Sequence, residues 1–191
     1  MSTSQKEVFL TFDDGPHPTI TPFVLDELKK HQAKATFFCI GKNVELYPEI
    51  YRRIIDEGHM VGNHTHNHLN GWKTASKEYL DNIGLAQKRI DSHLFRPPYG
   101  RISRFQLKNL QLPRFKMKTI MWSVLSGDFD LKLSKEKCLD HVLLNYKAGD
   151  IIVFHDSEKA FPRLAYVLPK SLEHFHKNGF SCNKIFIPTQ N

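Results

Sequence analysis

Short apolar runs alternate with longer amphipathic segments along this chain, and no other feature restricts its fold as much. Strand, helix and strand in that order pack into one sheet as parallel neighbours joined by right-handed crossovers. Residues 8–12 read as the first strand, followed by a helix over 21–31 in which Pro22 suits the first turn. A strand at 35–40 comes next, then a helix over 48–57 with Ile50, Tyr51, Ile54 and Ile55 on one face and Gly58 as its stop. A short strand at 60–62 leads to a helix over 77–91 that turns Leu80, Ile83, Ala86 and Ile90 inward. Further strands are expected at 93–95, 118–122, 151–154 and 184–187, with helices at 103–110, 134–146 and 169–177. That makes about seven βα units. An eightfold barrel takes about 250 residues and seldom fewer than 200. At 191 residues the chain therefore points to an incomplete or seven-stranded α/β barrel, with an open doubly wound sheet as the alternative.

Hydrophobic residues at 40% and charged residues at 25% are globular values, and no linker or repeat divides the chain, so one domain over 1–191 is expected. No apolar run reaches the roughly 20 residues of a membrane helix, and residues 1–6 carry no signal-peptide core. As written, the chain reads as a cytoplasmic monomer, or as an envelope protein if a leader has been removed. A net charge of +7 favours anionic surroundings. The basic residues between Arg101 and Lys118 come without a recognition motif and read as a solvated face, so nucleic acid is not an expected partner. Cys39, Cys138 and Cys182 are far apart and form no CxxC pair, which argues against a zinc–thiolate cluster or a disulfide framework. Histidine is different. Three of the 11, His64, His66 and His68, fall within five residues.

Active sites of parallel α/β folds form where strands end and loops begin. Chemistry-bearing residues stand at that edge repeatedly: Asp13-Asp14-Gly15-Pro16, His64 to His68, Arg96-Pro97-Pro98-Tyr99, Trp122 to Asp128, and His155-Asp156. Adjacent carboxylates on a strand point to opposite faces, but where the chain leaves through Gly15-Pro16 both can address one centre. His64 and His68, four apart, would share a face on a helical turn and grip one ion, with His66 pointing elsewhere and Thr65 stiffening the loop. Two imidazoles and one carboxylate leave positions open for water and substrate, which is a catalytic arrangement. A guanidinium at Arg96 near Asp13 would keep that carboxylate ionised and oriented. The rigid Pro-Pro pair would fix the following backbone so that the Tyr99 N–H can donate to an oxyanion. His155 can give a proton to a leaving amine, with Asp128 on the other ring nitrogen.

With these residues assembled, the chain resembles the polysaccharide deacetylase family, carbohydrate esterase family four. TFDDGP stands at Thr11–Pro16, HTxxH at His64–His68, RPPYG at Arg96–Gly100, a degraded DxxDW at Leu125–Phe129, and IVFHD at Ile152–Asp156. The resemblance implies a distorted (β/α)7 barrel and a metal-dependent hydrolase that removes N-acetyl groups from glycans of the peptidoglycan or chitin kind. It implies that Asp14, His64 and His68 hold one divalent metal ion, usually zinc. Asp13 would be the general base and His155 the general acid, oriented by Arg96 and Asp128 respectively. Tyr99, Trp122 and Phe129 would line the substrate groove. Leu125 stands where the family has Asp, and Phe129 where it has Trp, which bears on substrate choice rather than on catalysis. The alternative is a deacetylase or esterase of the same fold acting on O-acetylated xylan or a small amide. The positive charge would assist approach to an anionic envelope polymer.

Overall fold

The structure, a computed structural model, describes residues 6–186. Those residues form eight strands, all of them paired in parallel, and seven α-helices. The main path across the sheet runs β5 (Lys118–Thr119), β4 (Leu94–Phe95), β3 (Met60–Asn63), β2 (Thr36–Cys39), β1 (Glu7–Asp13), β7 (Ile151–His155) and β6 (Val124–Leu125). β8 (Ser181–Asn183) pairs only with Glu7–Phe9 of β1. β5 and β6 are the two ends of this path, so the curled sheet has a seam between them. This is a distorted (β/α)7 barrel.

Alternation along the strands divides the interior from the helix-packed exterior. Val8, Leu10 and Phe12 face outward from β1 and are fully buried under the helices. Phe12 stacks between its register partners Phe37 and Phe154, with ring centroids 5.1 and 5.7 Å away. α1 (Ile20–Lys30) covers this layer with Val24, Leu25 and Leu28, and α7 (Phe161–Lys177) covers it with Leu164, Val167, Leu168 and Phe175. The opposite set faces the barrel axis. Phe9, Met60, Phe38, Leu94, Ile151 and Ile185 make a small apolar cluster that plugs the floor. Gly62 is required there, since a Cβ would lie 2.5 Å from the Phe38 ring. Above the plug the inward residues turn polar: Thr11 and Asp13 on β1, His155 on β7.

The remaining helices are α2 (Gly41–Leu46), α3 (Pro48–Asp56), α4 (Ser76–Gln87), α5 (Arg104–Leu110) and α6 (Lys135–Leu143). α5 starts with a capping box in which Ser103 Oγ accepts from Gln106 N–H and Gln106 Oε1 accepts from Ser103 N–H. Leu80, Ile83, Ala86 and Ile90 are buried as expected. The three cysteines are buried and unbonded. No helix among the described residues is long and apolar enough to cross a membrane.

Several elements depart from the sequence reading. The 118–122 strand stops at Thr119, because the carbonyls of Ile120 and Met121 turn to the Arg96 guanidinium instead of a ladder. β6 was absent from the expectation; two residues give no periodicity to detect. α2, six residues opening on Gly41, was also missed. α7 begins at Phe161, not at Pro169. Pro162 takes the first-turn role, and Pro169 lies inside the helix. The last strand is Ser181–Asn183, four residues before the expected end at Ile187, which lies outside the described residues. Ile55 is nearly half exposed, so the buried face of α3 is narrower than its pattern implied.

Phe12→Ala should cost about 3–5 kcal/mol in urea unfolding, and Phe12→Leu less than half of that. Equal costs for the two would remove the central place given to the stacked ring.

Candidate active site

Strand register assembles the site. Asp13 and His155 are Cα partners on β1 and β7, and both side chains face the axis. The chain then leaves β1 through Asp14, whose φ of 87° swings its carboxylate toward the centre. Asp156, just beyond β7, braces that turn: its Oδ1 accepts from Gly15 N–H at 3.0 Å and its Oδ2 from Thr21 Oγ1 at 2.5 Å. Burial pushes its carboxyl up to about 8.

The His64 and His68 rings do converge, but not on a helical turn as the spacing implied. Residues 64–71 form a loop with Thr65 at φ 63° and His68 at φ 55°. Buried amides hold it. Asn63 Oδ1 accepts from Thr65 N–H at 2.8 Å, and Asn82 Oδ1 from both His66 N–H and Asn67 N–H. Thr65 Oγ1 accepts from Leu69 N–H, the local bond expected of it, and His66 turns away toward Gly41. His64 Nδ1 donates to the Arg96 carbonyl at 2.7 Å, which leaves its Nε2 lone pair for the centre. Burial pushes this ring down to about 4, so it is neutral and fit to ligate. One ligand atom from each of Asp14, His64 and His68 lies within 4.8 Å of the others.

A divalent ion fits this trio. Asp14 Oδ1 is a buried oxygen with no donor directed at it, 3.2 Å from His68 Nε2 and 3.8 Å from His64 Nε2. Burial opposes its ionisation, but the contact with His68 and the nearby His155 and His64 outweigh that, and the carboxyl stays well below its usual range. An anionic oxygen facing two imidazole nitrogens is a borderline-metal donor set with room for further ligands.

The two partner pairs form as expected. Arg96 is fully buried, and its Nη1 donates to Asp13 Oδ1 at 2.8 Å and to Thr11 Oγ1 at 2.7 Å. Asp128 is fully buried as well; Oδ1 takes the His155 Nδ1–H at 2.8 Å and Oδ2 takes the His155 backbone N–H at 2.8 Å. Arg163, which the sequence reading passed over, donates through Nε to the Asp128 carbonyl at 2.5 Å. Burial works against a charged His155 ring, yet the charge and hydrogen bond of Asp128 prevail and raise it to about 9.

A cleft of about 500 Å³ opens over this chemistry. Tyr99, Trp122 and Phe129 all line it, as anticipated, and Leu125 and Lys159 line it too. Tyr99 sits at φ 60° with its exposed ring 4.7 Å from His68. Phe129 meets the His155 ring edge-on at 5.0 Å. Asp156 and Asn82 carried weak but readable signals. Asp156 follows His155 directly, and Asn82 is a polar residue inside an apolar helix stripe.

The polysaccharide deacetylase family model matches residues 1–113. A peptidoglycan-N-acetylglucosamine deacetylase of Bacillus cereus is 36% identical over 93% of this chain and 85% of its own length. The chain belongs to the polysaccharide deacetylase family. A chitooligosaccharide deacetylase of Azorhizobium caulinodans is 37% identical, with 82% of this chain and 76% of that protein covered. Among solved structures, the peptidoglycan deacetylase PdaC of Bacillus subtilis superposes with a TM-score of 0.85 at 31% identity, over 97% of this chain and 90% of that one. Members of this family are metal-dependent hydrolytic deacetylases, and the trio at Asp14 is where this member can take its ion.

Two outcomes follow from the geometry. His64→Ala should abolish tight divalent-ion binding measured by calorimetry; unchanged affinity would remove the trio as the site. In metal-free protein, NMR should find His155 titrating near 9, and Asp128→Asn should bring it below its ordinary 6.5 because burial then acts unopposed. The sign for stability follows. The raised ring contributes stability that is complete below pH 6.5 and lost as pH climbs through about 9.

Proposed function

We propose that this chain is a metal-dependent hydrolase that removes N-acetyl groups from N-acetylglucosamine-type residues of a peptidoglycan- or chitin-like glycan. In this reading one catalytic domain spans residues 1–191, and Zn2+ is the ion held by Asp14, His64 and His68. The observation that carries it is the separation of duties within one cleft. A potential ligand trio, an arginine-held carboxylate and a carboxylate-backed imidazole all face the same space. The relatives named above, which act on peptidoglycan and chitooligosaccharides, support the choice of substrate.

When bound, the ion supplies Lewis acidity that polarises the acyl carbonyl and acidifies a water. Asp13 takes the proton of the attacking water. Its bond to Arg96 leaves it an acceptor only, so it works as base and not as acid. The Tyr99 N–H donates to the oxyanion that develops on the acyl oxygen. His155 then gives its proton to the departing sugar nitrogen, which would otherwise leave as a strongly basic amide anion. Asp128 occupies Nδ1, so Nε2 is the atom that delivers the proton. The Tyr99, Trp122 and Phe129 rings flank the sugar and keep water from the reacting bond.

Asp13→Asn and His155→Ala should each lower turnover about 10²–10⁴-fold while metal content stays at the wild-type level. Mass spectrometry of chitin oligomers, peptidoglycan fragments and acetylated xylan after incubation with zinc-loaded protein tests the substrate. Acetyl loss from the N-acetylated glycans is expected. Acetyl loss confined to xylan would replace the amidase reading with the esterase one.

A further inference from the structure

One cation in the cleft has no part in the chemistry above. Lys159 lies in the segment between β7 and α7 and lines the same cleft as Asp13 and His155. It is exposed, and its Nζ lies 5.9 Å from the centre of the Phe129 ring. Among the described residues no carboxylate pairs with it; the neighbouring Glu158 is turned to His17 at 3.4 Å. The other cation beside the reaction centre, Arg96, is fully buried and committed to Asp13, Thr11 and two carbonyls.

The surroundings of Lys159 include both departures from the family motif. Leu125 and Phe129 line the cleft with it. With Asp at 125 the cleft would carry a further negative charge, which disfavours an anionic ligand. Leucine there leaves an apolar wall and an unpaired positive charge. The combination fits an anion on a short apolar arm, whose methyl rests on Leu125 and Phe129 while its carboxylate meets the ammonium.

Resting on the hydrolase reading, we propose that Lys159 is a specificity residue that recognises a carboxylate on the glycan. The chemistry is that of the lactyl ether of an N-acetylmuramyl residue. Leu125 serves the same selection by keeping the cleft wall free of negative charge. The contact is partly solvated, so its contribution is moderate and screened by salt.

The test compares one GlcNAc–MurNAc oligosaccharide with free lactyl carboxylates against the same oligosaccharide after methyl esterification. For the wild type, kcat/KM should favour the free acid about three- to thirtyfold at low salt, and less at high salt. Lys159→Gln should bring the acid-to-ester ratio close to one, Lys159→Arg should retain most of it, and Leu125→Asp should lower it. Equal rates on acid and ester in the wild type would overturn the proposal, as would a ratio that survives Lys159→Gln. So would a loss on both substrates alike, which would place Lys159 on a part they share. Binding of the two forms by calorimetry asks the same question without turnover. A protein that prefers the acid in binding but releases no acetate from any glycan would sink the hydrolase reading and leave the recognition standing.

Discussion

The side chain of Arg96 ties this barrel together. It leaves the end of β4, passes over the Phe38 ring at 4.1 Å, and reaches Thr11 and Asp13 on β1, although β2 and β3 lie between the two strands. A flat sheet would hold β1 and β4 about 14 Å apart, so this contact exists only because the sheet curls. The same guanidinium bonds the carbonyls of Ile120 and Met121, where the chain crosses the seam between β5 and β6. A buried cation costs several kcal/mol unless its hydrogen bonds are satisfied. Here every partner is one that the fold itself needs satisfied. Closing the barrel and orienting the Asp13 carboxylate are thus one interaction.

The rest of the site is built by strand alternation. The inward positions of β1 and β7 run from Phe9 and Ile151 at the floor to Asp13 and His155 at the rim. Each strand therefore supplies hydrophobic filling and reactive groups on one face. Because Asp13 and His155 are register partners, a slip of one residue between β1 and β7 would turn one of the two away from the axis and part the pair. The stacked Phe37–Phe12–Phe154 row on the opposite face guards against that slip. Core packing and the placement of Asp13 beside His155 are fixed by the same register.

How much of this was legible in the sequence follows from which signals are local. The strands carrying Asp13, Asn63 and His155 were readable because each is an apolar run at least three residues long that ends in a polar motif. The ten candidate residues were readable as types near strand ends, and their gathering at one edge follows from parallel topology; seven of them line the cleft, while His64, Arg96 and Asp128 are buried. β6 and α2 were not readable, being too short for periodicity to register. Pro169 misled because a proline at a helix start and one inside a helix look alike until the buried stripe from Leu164 onward is counted. The His loop has a conformation set by a local contact from Asn63 and by Asn82, which reaches the loop across 15 and 16 residues of sequence. Lys159 was missed for a related reason: a lone lysine after a motif looks like any solvated lysine until its neighbours in the cleft are known.

The turn after Asp14 has a consequence for how freely this chain can vary. Asp156 approaches the Gly15 backbone so closely that a Cβ at Gly15 would lie 2.0 Å from its Oδ2. Even alanine would have to displace a buried carboxylate that also anchors the start of α1 through Thr21. The residue next to the proposed ligand Asp14 is therefore constrained by what it lacks. Drift at Gly15 would reach the ion through the backbone of Asp14 without altering a single donor atom, so an intact set of ligands in a descendant sequence would not by itself guarantee a working centre.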